Sequence, residues 1–115
     1  MNKRQRKKNK VMRVKDIGWE EVVDLDDTLS KLIYPRLLAF KKYNIHSYPG
    51  DFNTFEEWQE VIDKIIYAFK LLYFGVPWVE FEYYKGYSQQ EYVKEEEKIK
   101  EGLLLFAKYY RDLWD

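Results

Sequence analysis

Apolar residues recur along most of the chain at the spacing of α-helices, in three segments separated by loop-forming residues. In the middle segment, residues 54–74, successive apolar positions lie three or four residues apart, which is typical of a helix face that packs against another helix. These positions are Phe55, Trp58, Ile62, Ile65, Phe69 and Leu72. Thr54 and Glu57 form a capping-box pattern that predicts the start of this helix, and the glycine at position 75 predicts its end.

The segments on either side predict a first helix at about residues 26–43 and a third from residue 88 nearly to the C-terminus. Pro35 lies inside the first helix, where it removes a backbone hydrogen bond, so it should kink that helix or split it in two. Gly102 lies inside the third, where glycine costs about 1 kcal/mol relative to alanine, and we expect a close helix crossing there. The predicted apolar faces comprise Leu29, Ile33, Phe40 and Tyr43 in the first helix, and Tyr92, Ile99, Leu103, Phe106, Tyr110 and Leu113 in the third.

The fold class predicted from these segments is all-α, an antiparallel three-helix bundle with a Pro-kinked first helix. A chain of 115 residues has room for one domain, which we place at residues 16–115, after a basic N-terminal arm at residues 1–15 that should be flexible. Residues 78–87, WVEFEYYKGY, could alternate as a short strand, but the sequence predicts no second strand to pair with it. We therefore expect an irregular aromatic connector before the last helix.

A run of aspartates before the first helix is the one candidate for catalysis. The sequence VVDLDDTL at residues 22–29 resembles the nucleophile motif of haloacid-dehalogenase-type phosphotransferases, in which the first aspartate attacks phosphorus and the second acts as acid or base. Such a site needs a parallel sheet and a later acidic pair that binds magnesium, whereas the residues that follow have helical spacing. We interpret the run as a helix start, where carboxylates accept hydrogen bonds from free N–H groups and interact with the helix dipole.

Composition and charge exclude several classes of site. The chain has no cysteine, which excludes disulfides, zinc–thiolate centres and a thiol nucleophile, and its single histidine, His46, excludes any site that needs two imidazoles. The net charge is zero, yet residues 1–15 hold eight basic and no acidic side chains, so residues 16–115 carry a net charge of −8. No segment is apolar over the roughly 20 residues needed to cross a bilayer, so we expect a cytoplasmic protein without membrane contact. We also expect no cofactor and no metal.

A set of short motifs extends over residues 24–114. They are Leu25, Asp26 and Thr28; Pro35, Arg36 and Leu37; Tyr48 and Pro49; Glu56, Glu57 and Trp58; Asp63, Lys64, Ile65 and Ile66; residues 102–109; and Leu113 and Trp114. In this pattern the chain resembles a group of small tailed-bacteriophage accessory proteins, although its basic arm is shorter and the aromatic residues at 78–87 are an insertion. The resemblance implies an accessory phage protein, not a part of the virion, in the cytoplasm of an infected bacterial host.

Arg36 is the most informative single position, because helical spacing places it on the apolar face of the first helix. A buried, unpaired guanidinium costs several kcal/mol, so it should find an anion. Three interpretations stay open: an internal ion pair with Asp26, Asp63 or Glu96; a ligand phosphate or carboxylate; or a kinked helix that lets Arg36 reach solvent. Lys64, beside the second apolar face, is a further candidate ligand-binding residue or simply a surface lysine.

Aromatic and basic clusters supply two further candidate surfaces. Aromatic side chains make up 19% of the chain, more than a bundle of this size needs for its core, so some should pack over the bundle end or form a protein interface. The candidate interface residues are Phe74, Trp78, Phe81, Tyr83, Tyr84 and Tyr87. The basic arm is either a solubilising tail or a nucleic-acid contact, with Arg4, Arg6, Lys7 and Lys8 as the candidate contacts.

Because no catalytic constellation is present in the sequence, we predict a binding protein and not an enzyme. The favoured function is counter-defence or host takeover by direct binding and inhibition of a host protein, with homo-oligomer formation as an option. One alternative is a sponge that sequesters a nucleotide-type immune signal through Arg36 and Lys64. Another is a nucleic-acid-binding accessory protein that uses the basic arm.

Overall fold

Three long helices form the fold in the computed structural model, which describes residues 12–44, 47–75 and 89–114. Helix α1 spans Leu25–Tyr43, α2 spans Phe55–Phe74 and α3 spans Gln89–Tyr109. Short 3-10 turns lie before α1, at Val14–Asp16 and Trp19–Glu21, and after α3, at Tyr110–Asp112. Helix α2 packs against both α1 and α3, and the described residues contain no β-strand. The predicted all-α three-helix bundle is confirmed.

Neighbouring helices run in opposite directions. The ring of Tyr34 in α1 lies 5.5 Å from that of Tyr73 near the end of α2, whereas Phe40, further along α1, packs against the cluster around Trp58 near the start of α2. Trp58 also packs against Tyr109 at the end of α3. The ends of α1 and α3 and the start of α2 therefore meet at one end of the bundle.

The aspartate run begins α1, as predicted. Asp24 is the N-cap residue, Asp26 and Asp27 lie in the first turn, and Val22 and Val23 form an exposed turn ahead of it. The Asp24 side chain accepts no capping hydrogen bond; its carbonyl oxygen instead accepts the N–H of Asp27 at 3.0 Å. The acidic side chains of the first turn therefore stabilise the helix start through the dipole.

Helix α1 continues through Pro35 without interruption, so the predicted split into two helices does not occur. Its apolar face is narrower than predicted, because Leu29 is 45% exposed and Tyr43 is 72% exposed. Leu37 is buried instead; Ile33 packs against the cluster that contains Leu37, and Phe40 packs against the cluster around Trp58. A narrow face follows from the packing: α1 rests on α2 along one side and leaves its other sides to solvent.

Helix α2 supplies the centre of the core, and its predicted apolar face is confirmed. The buried members of that face are Trp58, Ile62, Ile65 and Phe69, joined by Ala68 and Leu71. The hydroxyl of Thr54 accepts the N–H of Glu57 at 3.2 Å, while the Glu57 carboxylate accepts the N–H of Asn53. The capping-box residues thus hold the helix start, with Glu57 reaching one residue further back than predicted.

Helix α3 crosses α2 closely at Gly102, as predicted. A Cβ atom at this position would lie 2.8 Å from the carbonyl oxygen of Lys64 and 3.5 Å from the Cα of Ala68. The contact line of α3 passes through Gly102, and not through Leu103, which is 39% exposed. The predicted position of Tyr110 in the core is also wrong, because Tyr110 is 62% exposed and Tyr109 is buried in its place, at 6% exposure.

Candidate functional site

A groove lies between the second half of α1 and the C-terminal end of the chain. Its α1 side consists of Ile33, Arg36, Leu37 and Phe40, and its C-terminal side consists of Phe106, Tyr110, Arg111, Leu113 and Trp114. The groove has a volume of about 930 Å³ and is open to solvent. Its size is at the upper end of the range of small-molecule sites, which is roughly 300–1,000 Å³.

The helix arrangement explains why this side of the bundle stays open. Helices α1 and α3 each pack against α2, and their principal contacts are with it. The α-helical part of the C-terminal segment ends at Tyr109, and the 3-10 turn Tyr110–Asp112 continues with three residues per turn. Residues 110–114 therefore leave the α3 contact line and supply the C-terminal wall of the groove.

The aromatic wall has a packed base and an exposed rim. Phe106 packs edge-on against Phe69 with ring centroids 5.0 Å apart, and Tyr110 packs edge-on against Phe106 at 5.6 Å. Tyr110 is 62% exposed and Trp114 is 79% exposed. Exposed tryptophan and tyrosine side chains are among the residues that contribute most to the binding energy of protein interfaces.

Arg36 is exposed and lines this groove, so it is not buried on the apolar face as helical spacing suggested, and a ligand phosphate or carboxylate on it stays a prediction. Its Nη1 donates to the carbonyl oxygen of Leu32 at 2.9 Å, and the residue is exposed. The internal ion pair is absent among the described residues, because Asp63 pairs with Lys41 at 2.5 Å. Glu96 is engaged as well, since its hydrogen bond raises the pKa of Tyr92.

The two arginines give the groove a positive charge. Arg111 is exposed on the wall that faces α1, and neither Arg36 nor Arg111 has a carboxylate within ion-pair distance among the described residues. The residues that line the groove within the described ranges include no acid. An apolar floor beside two guanidinium groups suits a partner that combines an apolar part with a carboxylate or phosphate.

Lys64 lies on a different surface, at the crossing of α2 and α3. Its Nζ pairs with the Glu101 carboxylate at 3.2 Å, and both residues are exposed. Lys98 lies over the ring of Tyr67 nearby, 5.1 Å from its centroid. The structure therefore does not bring Lys64 and Arg36 together in one ligand site.

Most other predicted site residues lie outside the described residues. These are Trp78, Phe81, Tyr83, Tyr84 and Tyr87 of the candidate interface and Arg4, Arg6, Lys7 and Lys8 of the basic arm. Phe74 is described: it is 67% exposed and packs edge-on against Tyr73, with ring centroids 4.6 Å apart. The candidate interface at the connector and the nucleic-acid contact stay predictions.

The described residues supply neither a metal-binding group nor a membrane-spanning helix. They include no group of three or more His, Asp or Glu side chains placed to hold a metal ion. None of the helices in those residues is long and apolar enough to cross a membrane. The groove therefore stands as the main candidate site in the described part of the chain.

Comparisons with models of known protein families, with curated proteins and with solved structures find no match to this chain.

Proposed function

We propose that this protein acts without catalysis, by binding another protein directly, and that the groove is the surface it uses. The observation that carries the proposal is the exposed pair Tyr110 and Trp114 beside Arg36 and Arg111, neither of which has an ion-pair partner within the described part of the chain. Aromatic and arginine side chains are the residue types most enriched among interface hot spots. A monomer that leaves such residues in an open groove has a surface suited to a partner, because exposed apolar patches of this kind mark interaction sites.

The chemistry of the groove narrows the class of partner. Its floor is apolar, with Ile33, Leu37 and Phe40 on one side, and its charged members are both cationic. A segment with apolar anchors and neighbouring carboxylates would bury the anchors in the floor and place its acids against the guanidinium groups. The bacteriophage resemblance supports a host protein as the owner of that segment, with counter-defence or host takeover as the role.

A second candidate function, a sponge for a nucleotide-type immune signal, is favoured by the same two arginines. Guanidinium groups bind phosphates as bidentate forks, and Tyr110 or Trp114 could stack on a base. The sequence suggested Arg36 and Lys64 as the phosphate contacts of such a sponge. Because Lys64 lies on another surface, the contacts proposed here are Arg36 and Arg111. An open groove favours a protein segment over a small ligand, since small-molecule sites enclose most of the ligand surface.

Affinity capture from bacterial lysate with paired variants tests the favoured function. Trp114→Asp removes an exposed aromatic from the groove, and Tyr43→Asp removes an exposed aromatic, at 72% exposure, from outside it. We expect the wild-type chain and Tyr43→Asp to retain the same stoichiometric partner and Trp114→Asp to lose it. Retention by all three chains, or loss by both variants, would contradict the assignment to the groove.

Thermal unfolding in the presence of nucleotides tests the second candidate. A nucleotide that binds the groove at 100 times its Kd would stabilise the chain by about 2.7 kcal/mol and raise its Tm by several degrees. The double variant Arg36→Gln and Arg111→Gln should abolish that rise, whereas Lys64→Gln should leave it unchanged. A Tm unaffected by cyclic and ADP-ribose-type nucleotides would rule out the sponge.

A further inference from the structure

The flank that precedes α1 is a second apolar surface without a partner. We call residues 19–26 the acidic flank. Its apolar members are exposed: Trp19 at 74%, Val22 at 45%, Val23 at 50% and Leu25 at 48%. Four large apolar side chains are thus exposed within seven residues, and an exposed apolar patch of this kind indicates contact with another molecule.

The acidic flank has the opposite charge from the groove. Glu20, Asp24 and Asp26 are exposed and have no ion-pair partner among the described residues. The Glu21 carboxylate already has a hydrogen-bond partner in its own chain, since it accepts the N–H of Gly18 at 3.0 Å. Asp27, just beyond the flank, is paired with a lysine of the next turn at 2.9 Å. The flank therefore combines apolar anchors with three carboxylates that have no ion-pair partner in the described ranges, the chemistry that suits the groove.

The acidic flank is already shaped as a helical ridge. The N–H groups of Val22 and Val23 donate to the carbonyl oxygen of Trp19, at 3.1 and 3.0 Å. These three residues are spaced as i, i+3 and i+4, so their side chains share one side of the turn. These backbone hydrogen bonds hold residues 19–23 as a short helical turn before docking, so little backbone freedom is lost when the turn docks; the non-helical N-cap Asp24, at φ −129° and ψ 67°, joins it to α1.

We propose that the groove of one copy of this protein binds the acidic flank of a second copy. In its own chain the flank is exposed and contributes no residue to the groove, so the contact is made between chains. Trp19 and Val23 of one copy enter the apolar floor of the other, and Glu20 and Asp24 lie against Arg36 and Arg111. When each copy supplies both its flank and its groove, the exchange closes as a twofold dimer and leaves no unpaired surface to continue a chain.

The proposal deepens the proposed function and rests on it, since both treat the groove as a protein-binding surface. The dimer and the partner protein would then compete for the groove. A partner must displace the flank, so its apparent affinity falls as the protein concentration rises and recovers when the flank is disabled. Self-association would in this way prevent the groove from taking weak, unspecific partners.

Sedimentation velocity of the full chain over a concentration series tests the proposal. The monomer mass is 14.2 kDa, and we expect the wild-type chain to rise to twice that value with concentration and to return on dilution. Trp19→Asp should remain monomeric throughout the series, while Tyr43→Asp, which places the same charge at an exposed aromatic outside both surfaces, should dimerise as the wild type does. A wild-type chain that is monomeric throughout, or a dimer that survives Trp19→Asp, would overturn the proposal.

A charge-exchange pair identifies the surfaces that meet. The groove variant Arg36→Glu with Arg111→Glu and the flank variant Glu20→Arg with Asp24→Arg should each lose self-association. An equimolar mixture of the two should regain a dimer, because each reversed surface then faces its complement. Far-UV circular dichroism of each variant checks that the helices are intact, and a mixture of folded variants that stays monomeric would refute the pairing.

The outcome separates this inference from the proposed function. If Trp19→Asp abolishes the dimer and the captured partner binds as well or better, both proposals stand. If the charge-exchange mixture dimerises but no partner depends on Trp114, the dimer stands and the proposed function fails. If the partner depends on Trp114 while the wild-type chain stays monomeric, the proposed function stands and the dimer is refuted.

Discussion

Alanine at position 102 would test the closest contact in the bundle, the crossing of α3 over α2. The side chain of the new alanine would meet the backbone of the neighbouring helix, at 2.8 Å from the Lys64 carbonyl oxygen, and would overlap the methyl group of Ala68. Backbone atoms and a methyl group cannot rotate away as a flexible side chain does. The clash is therefore relieved only if α3 moves away from α2 as a unit.

The magnitude follows from two opposing effects. At an unconstrained helix position, glycine to alanine stabilises by about 1 kcal/mol, because alanine restricts the unfolded chain. Overpacking of a close contact costs about 1–3 kcal/mol, and an obstacle of backbone atoms places Gly102 near the upper end. We expect a net loss of about 2 kcal/mol in the free energy of unfolding, and a fall in Tm of roughly 10 °C for a domain of this size.

Urea unfolding followed by Trp fluorescence and circular dichroism measures this loss, since Trp58 is only 1% exposed and reports on the core. Gly50→Ala is the matched control, because a Cβ atom there has nothing within 4 Å. Adding Ala68→Gly to Gly102→Ala should recover part of the loss, so that the two changes are non-additive. If Gly102→Ala were as stable as the wild type or more so, the helices would not cross as closely as the structure has them.

Three further changes test the core, the end of α2 and the charge pair of α1. Trp58→Ala should cost about 3–5 kcal/mol, measured by urea unfolding, because it empties the most enclosed aromatic site. Gly75→Ala should cost about 1 kcal/mol or more, by the same measurement, because Gly75 ends α2 with φ at +86°. The Lys31 ammonium donates a hydrogen bond to the Asp27 carboxylate, which raises the pKa of Lys31 above its ordinary 10.5, so the stability that this pair adds is full well below pH 10.5 and is lost as the pH rises through the raised value. The difference in the free energy of unfolding between wild type and Asp27→Asn should therefore be present at about pH 9 and should shrink as the pH is raised progressively above 10.5.

The apolar face of α2 was predictable because, in the described residues, both other helices pack mainly against α2. Its stripe is uninterrupted from Phe55 to Leu72, so periodicity alone identifies the core positions. Periodicity failed by one position in α3, where Tyr109 and not Tyr110 is buried. Glycine has no side chain, so an apolar pattern does not count Gly102 as a contact position, although α3 lies close against α2 there.

The groove was predictable only in part. Helical spacing identified Arg36 as a charge on an apolar face, and its exposure follows from the open side of the bundle. Arg111 and Trp114 were visible only as residues of the last segment, because their position opposite α1 depends on the 3-10 turn that ends α3. In the sequence, such a turn is indicated by an aromatic residue, here Trp114, that follows the last core position of the segment.

An exposed groove residue such as Trp114 can be substituted with little effect on folding, so its effect on binding can be measured separately. Burying a large apolar side chain contributes about 1.5–3 kcal/mol, yet Trp114 is 79% exposed and contributes little of that to the monomer. A surface substitution such as Trp114→Asp should therefore change the free energy of unfolding by no more than about 0.5 kcal/mol. Its effect on partner capture is then an effect on binding and not on folding. If Trp114→Asp unfolded the chain, the tryptophan would be part of the core, and the groove would have no claim to be a binding surface.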